Sequence, residues 1–519
     1  MVRQKIALST GDVRGTAADR RNGVRAFLGI PYAQPPLGPR RWRPPVPAAP
    51  WGEVRDATRF GPSAPTALPS PVHEQEDCLY LNVWTSASTP EQRAPVMVWI
   101  PGGGFQESNS ARPNIDGSRL AGLGAVIVSF NYRAGVLGFL AHSELDAEGT
   151  PSGNFGLQDQ IQALRWVREN IAVFGGDPGN VTIFGESAGA ASVALLMASP
   201  LARGLFHRAI GQSSGYWESI HGSLPTAVEA RSKGAGLLED LDVAGIEEAR
   251  RIPVEELMSV AGWSPPKDPL RYGFSPSVDG FVVPEHPMAV FAAGRQSDVP
   301  LLAGWNAAEG ATFLPFEPWL AETSALPVAL ERLFGDRADD GRTRYPISTE
   351  EEAHDTALAL AGDAYVAEAT WSWIRDHRRT GTSPVYAYHF DLRTDYTPVS
   401  RHAVDIDYVF GTLGPHWLGP PSGEPDALDR EVSRLMSAYW VNFARNGDPN
   451  GEGLPPWPEH CAHDQRFMML GAESRAEPLR SETDRLDFLR SLRGADFRRP
   501  GSWRSASAAP PATPPSPAR

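Results

Sequence analysis

Val181-Thr182-Ile183-Phe184-Gly185-Glu186-Ser187-Ala188-Gly189-Ala190-Ala191-Ser192-Val193-Ala194-Leu195-Leu196 decides the reading of this chain. The first four residues are apolar or β-branched and read as a short buried strand. From Ala188 onward the residues are good helix formers. Between the two, Gly185-Glu186-Ser187-Ala188-Gly189 fits a sharp strand-to-helix turn, whose glycines let strand and helix crowd around a strained, exposed serine. A serine hydroxyl is a weak nucleophile, so it needs that exposure and a base beside it. The pentapeptide alone is a weak signal, because Gly211-Gln212-Ser213-Ser214-Gly215 matches the same pattern. Context separates the two. Ser213 follows a strand-like His207-Arg208-Ala209-Ile210, but Tyr216, Trp217 and a Gly/Pro-bearing loop come next, not a helix. Ser187 is the candidate nucleophile, and Ser213 reads as a strand-end serine bonded to nearby polar groups.

Outward from this turn, short apolar runs alternate with helical patterns. Pro95 to Ile100 and Ala125 to Phe130 read as buried strands. Phe155 to Phe174 carries Leu157, Ile161, Leu164, Val167 and Ile171 at helical spacing. Strand then helix, repeated, predicts a mostly parallel sheet with helices on both faces. Later signals are sparser: a strand-like Pro300 to Ala303, helical stretches near 228–240 and 350–378, a strand at Val385 to Phe390, and an amphipathic helix over Arg430 to Ala444. Pro31-Tyr32-Ala33-Gln34-Pro35-Pro36-Leu37-Gly38 reads as turns.

Attack on a carbonyl places negative charge on its oxygen, and each backbone N–H aimed there contributes on the order of 3 kcal/mol. One such donor is the residue after the nucleophile, Ala188. The others come from a glycine-rich loop after an earlier strand. Pro101-Gly102-Gly103-Gly104-Phe105 directly follows the strand at 95–100 and fits. A phosphate-cradling loop would want Lys-Ser/Thr after the glycines, where this chain has Phe105-Gln106.

The remaining partners follow in the order acid, then histidine. Glu309 closes the segment Gly304-Trp305-Asn306-Ala307-Ala308-Glu309-Gly310 and can orient an imidazole. Seven of the twelve histidines lie beyond residue 310. His389 sits within a predicted strand and reads as wall or core. His354 and His377 lie on a predicted helix. His402 lies in a loop that can fold back over the site, and pattern alone leaves His416, His460 and His463 open.

Composition narrows the classes. The 519 residues are 41% hydrophobic, enough for a large core. The formal charge of −14 argues against nucleic acid and anionic membrane surfaces as partners. Two cysteines, Cys78 and Cys461, cannot build a disulfide framework or a Cys-rich zinc site. No apolar leader and no membrane-length apolar run is present, which predicts a cytoplasmic protein. Nothing in the sequence selects between monomer and homodimer. Residues 1–500 read as one domain, and 501–519, rich in Ala, Pro and Ser, as a disordered tail.

Several segments together resemble one family, the type-B carboxylesterases, relatives of the cholinesterases, here of the bacterial para-nitrobenzyl-esterase type. They are Gly29-Ile30-Pro31-Tyr32-Ala33, Glu76-Asp77-Cys78-Leu79-Tyr80-Leu81-Asn82-Val83-Trp84, Gly102-Gly103-Gly104-Phe105, Asn131-Tyr132-Arg133, Asn154-Phe155-Gly156-Leu157-Gln158-Asp159-Gln160, Phe174-Gly175-Gly176-Asp177-Pro178, Phe184 to Gly189, and His402-Ala403-Val404-Asp405-Ile406-Asp407-Tyr408-Val409-Phe410-Gly411. The resemblance implies an α/β-hydrolase fold, with helical insertions as gorge walls, and a serine carboxylesterase acting on small-molecule esters. It implies Ser187 as nucleophile, Glu309 as acid and His402 as base. Gly103, Gly104 and Ala188 would form the oxyanion hole. It places Ser213 near the Glu309–His402 pair and makes Glu76 and Arg133 a partly buried ion pair under the site. Such chemistry needs no cofactor and no metal. Phe105, Trp217, Trp305 and Phe313 are candidates for an apolar pocket wall, and each fits the core equally well. Amide or carbamate hydrolysis shares this machinery. The silent adhesion members of the fold, the neuroligins, typically lose a triad residue, and this chain keeps all three. It departs from the family pattern in Pro101 before the glycines, in Ala403 where relatives usually have Gly after the histidine, and in lacking a cysteine upstream to pair with Cys78.

Overall fold

The computed structural model describes residues 5–492 apart from 20–21, 67–72, 217–223, 263–272, 323, 325 and 415–422. Trp217, His416 and the 501–519 segment lie outside the described residues. In chain order the strands are β1 (Lys5–Leu8), β2 (Gly11–Arg14), β3 (Thr16–Asp19), β4 (Val24–Pro31), β5 (Arg55–Asp56), β6 (Tyr80–Thr85) and β7 (Ala94–Ile100). They continue with β8 (Val126–Phe130), β9 (Gly176–Glu186), β10 (Arg208–Gln212), β11 (Leu301–Asn306), β12 (Val385–Asp391), β13 (Arg466–Gly471) and β14 (Arg475–Pro478).

Among the described residues, eleven strands form one sheet in the order β14-β13-β12-β11-β10-β9-β7-β8-β6-β4-β3. The run from β8 through β7, β9, β10, β11 and β12 to β13 is parallel. The two margins are antiparallel. β1, β2 and β5 make a small separate sheet. The continuous apolar run of β7 is explained by burial on both faces, as parallel strands require. Val96, Val98 and Ile100 enter one apolar layer, while Met97 and Trp99 enter the other. β8 and β11 divide in the same way, with Ile127 and Leu302 opposite their neighbours.

The helices refine the sequence reading at their ends. Phe155–Asn170 is α-helical, and Ile171–Phe174 tightens to a 3₁₀ turn that stops at Gly175, where φ is 84°. The expected helix over 350–378 is two helices, Glu350–Gly362 and Glu368–Thr380, joined by a π turn at Asp363–Ala367. The long helix Ala427–Asn446 begins three residues before the apolar pattern does. Asp426 caps it, accepting from the Leu428 and Asp429 N–H groups. The helix Ala188–Ala198 has no polar face and is buried along its whole length. It packs so closely on β7 that a Cβ on Gly189 would run into the Ile100 carbonyl oxygen.

Candidate active site

The carboxyl ends of β9, β10, β11 and β12 converge, which is where open α/β sheets place their ligand crevice. Ser187 stands between β9 and the buried helix at φ 56°, ψ −126°. A non-glycine residue there is strained by roughly 1–3 kcal/mol. Its N–H donates to the Gln212 carbonyl at 2.9 Å, and its carbonyl accepts from Ala191 N at 2.9 Å. The main chain is thus held from both sides. Ser187 is partly exposed, while Glu186 and Ala188 beside it are buried. Ser213 also has positive φ, 54°. It lies at the end of β10, where its N–H donates to Gly304 O at 2.8 Å. Its Oγ is buried and makes no hydrogen bond among the described residues, to Glu309, His402 or anything else.

Glu309 comes three residues after β11. Its Oε1 accepts from Asn306 N at 2.8 Å, and its Oε2 lies 2.6 Å from His402 Nδ1. Both residues are buried. A carboxylate against Nδ1 fixes the tautomer and leaves Nε2 as the basic nitrogen. Glu186 was not singled out from the sequence, yet its Oε1 lies 3.1 Å from His402 Nε2, off the line of a hydrogen bond. Burial pushes the Glu186 carboxyl up to about 8, with His402 pulling the other way and Asp405 and Glu309 adding to the rise. Burial disfavours the His402 imidazolium, but Glu186 and Glu309 outweigh it and carry His402 up to about 9.

The glycine loop reaches the same place. A Cβ on Gly102 would stand 2.6 Å from the Glu186 carbonyl oxygen and 3.3 Å from Ser187 Cβ. Gly103, Gly104 and Phe105 run through φ of 112°, 62° and 61°. The loop is tied down behind by Tyr132 Oη donating to Pro101 O at 3.0 Å and Gln106 Nε2 donating to Gly104 O at 3.2 Å. Gly102, Gly103 and Gly104 stay partly exposed. Ala188 opens its helix, so its N–H has no intrahelical acceptor.

Of the pocket candidates, Phe313 borders His402. Its ring centroid is 4.7 Å from that of His402, and Tyr365 stacks on it at 4.5 Å and 6°. Trp305 and Phe105 are corrections to the wall reading and take the core alternative: both are fully buried. Trp305 points into the apolar layer from β11 and donates Nε1 to Glu482 at 2.7 Å. Phe105 packs edge-on against Phe139. A further correction concerns Glu76 and Arg133, which do not pair with each other. Arg41 takes Glu76 in a fork at 2.6 and 2.7 Å. Arg133 takes Asp159, from the helix Phe155–Asn170, at 2.8 and 2.7 Å. Each guanidinium fork has a whole carboxylate closer to hand, and bidentate geometry favours that choice. His389 is a core residue beside Glu482, as its strand position suggested. Cys78 is buried, and both cysteines are free thiols. Ala403 sits at φ 68°, in the left-handed region that favours glycine, which accounts for the glycine usual there in relatives. No cluster of three or more His, Cys, Asp or Glu side chains fit to hold a metal ion occurs among the described residues. No described helix is long and apolar enough to cross a membrane.

Comparison with known proteins gives the family. The model of the carboxylesterase family matches residues 2–489. The chain belongs to the carboxylesterase family. It is 36% identical to the fumonisin B1 esterase of Sphingopyxis macrogoltabida, over 86% of this chain and 83% of that protein. It is 35% identical to the para-nitrobenzyl esterase of Bacillus subtilis (strain 168), over 92% and 96%. The crystal structure of a Geobacillus stearothermophilus carboxylesterase superposes with a TM-score of 0.80 at 32% identity, covering 94% of this chain and all of that one. This carboxylesterase has the α/β-hydrolase fold, and it is a serine carboxylic-ester hydrolase acting on small-molecule esters.

Proposed function

We propose that this carboxylesterase works by acyl transfer through Ser187, with His402 as base and Glu309 as its orienting acid. His402 Nε2 takes the Ser187 proton as Oγ attacks the ester carbonyl. The developing oxyanion is held by the Gly103, Gly104 and Ala188 N–H groups. His402 then protonates the departing alcohol, and water, activated by the same nitrogen, releases the acid. The observation that carries this reading is the 2.6 Å contact between His402 Nδ1 and Glu309 Oε2, with Asn306 N–H on the other carboxylate oxygen. Phe313 lines the wall beside the base. The test is a burst assay with short and medium p-nitrophenyl esters. Ser187→Ala is expected to lose the burst and at least about 10⁴ in kcat. Comparable turnover by that variant would sink the assignment.

The proposal that residues 1–500 form one catalytic domain draws support from the family match over 2–489. Limited proteolysis should leave one active core and trim only its ends. A cytoplasmic location is supported by the free Cys78 and Cys461 thiols, which a reducing compartment preserves. Cell fractionation with activity staining tests it.

A further inference from the structure

Asp405 opens the helix Asp405–Phe410, three residues past His402, and is fully buried. Its carboxylate gathers donors from three neighbouring strands. Gln212 Nε2, at the end of β10, donates to Oδ2 at 2.8 Å, and Tyr388 Oη, from β12, donates to the same oxygen at 3.1 Å. Asn306 Nδ2, at the end of β11, donates to Oδ1 at 3.2 Å. Two of these donors also hold the reacting groups through their main chains. The Gln212 carbonyl accepts the Ser187 N–H at 2.9 Å. The Asn306 N–H donates to Glu309 Oε1 at 2.8 Å, and its side-chain nitrogen also donates to the carbonyl of Arg401, next to His402, at 2.9 Å. Gln212 Oε1 is in turn fixed by Trp440 Nε1 at 3.1 Å. Each amide therefore joins one triad residue on its main chain to the His402 segment on its side chain.

We infer that Gln212 and Asn306 are positioning residues which, through the shared Asp405 carboxylate, set His402 against Ser187 and Glu309. The inference rests on the triad proposed above. The physical need is plain. Ser187, Glu309 and His402 come from three separate loops, and a misplacement of about 1 Å between reacting groups can cost on the order of 10² in rate. A charged acceptor with several neutral donors is stronger and more directional than neutral pairs, so one carboxylate can lock three strands together. Both amides are buried and their side chains are bonded to protein groups, so each acts on turnover and not on affinity.

The test uses Gln212→Ala, Asn306→Ala and their double variant, each shown folded by circular dichroism. Each single variant is expected to lose about 10- to 100-fold in kcat with KM within about twofold. Because both act through one carboxylate, the double variant should lose clearly less than the product of the single losses. In an Asp405→Asn background, which keeps size and an acceptor oxygen, Gln212→Ala should matter less than about threefold. Where an alanine variant does not fold, Gln212→Met keeps the volume and is assayed in the same way. Wild-type kcat in the single variants, a matching rise in KM, or independent multiplicative losses would each overturn the inference. Ser187→Ala run alongside separates the two readings. If it stays active, the triad assignment fails. If it is dead while Gln212 and Asn306 variants are normal, only the positioning role fails.

Discussion

Replacing Glu186 by Gln tests the electrostatics around the base. Glu186 Oε1 stands 3.1 Å from His402 Nε2. At an effective dielectric constant of about 20, a full charge at that distance is worth about 5 kcal/mol to the imidazolium. Burial opposes the imidazolium and Glu309 shares in its stabilisation, so removing Glu186 takes away only part of the rise at His402. The net effect on the base is therefore smaller, about 1.4 kcal/mol or one pH unit. The sign follows from the partner removed. Glu186 favours the charged imidazole, so its loss lowers the pKa of His402, now raised to about 9. The neutral base then survives to lower pH, and the acidic limb of kcat/KM should move toward acid by about one unit. The assay is kcat/KM for phenyl acetate across the pH range on wild type and Glu186→Gln, with folding checked at each pH. A limb that stays within about 0.2 unit, or moves toward alkali, refutes this account of the site.

Glu309→Gln removes the carboxylate that fixes the His402 tautomer, so kcat should fall by about 10³–10⁴ with KM little changed, in steady-state ester hydrolysis. Gly189→Ala drives a methyl group into the Ile100 carbonyl beneath the nucleophile turn. It should destabilise the fold by about 1–3 kcal/mol in urea denaturation. Arg133→Met strands the buried Asp159 carboxylate, which has lost its fork. The expected loss is about 3–5 kcal/mol by the same measurement, restored in part by adding Asp159→Leu.

The strands and helices nearest Ser187 were legible because their signals are local. β7 is an unbroken apolar run, β8 is one but for Ser129, β9 carries the apolar or β-branched Val181 to Phe184 just before its turn, and the helix Ala188–Ala198 follows that turn without a gap. The strands that escaped notice, β4, β6 and β13 among them, lie outside the central run β7 to β12, and several are short or mixed. β1 reads Lys-Ile-Ala-Leu and β14 reads Arg-Ala-Glu-Pro, and neither has the length or alternation that marks a strand. The C-terminal helix Arg480–Leu492 is strongly polar. Its place is set by partners such as Asp363 and Asp376, which receive Arg485 and Arg490.

By itself the sequence determined the elements of the chemistry: a serine in a strand–turn–helix setting, a triple glycine after a strand, an acid closing a strand-then-loop segment, and late histidines. Local propensity, period and turn chemistry act over a few residues, so these features need no partner to be read. Tertiary structure decided who meets whom. Glu309 and His402 are 93 residues apart, and only the sheet brings them to 2.6 Å. The partners of Arg133 and Glu76, the nearness of Glu186 to the base and the three donors on Asp405 were settled the same way. A charged or polar side chain carries no mark of its partner in its own segment, because the choice falls to whichever complementary group packing holds within hydrogen-bond reach once water is excluded.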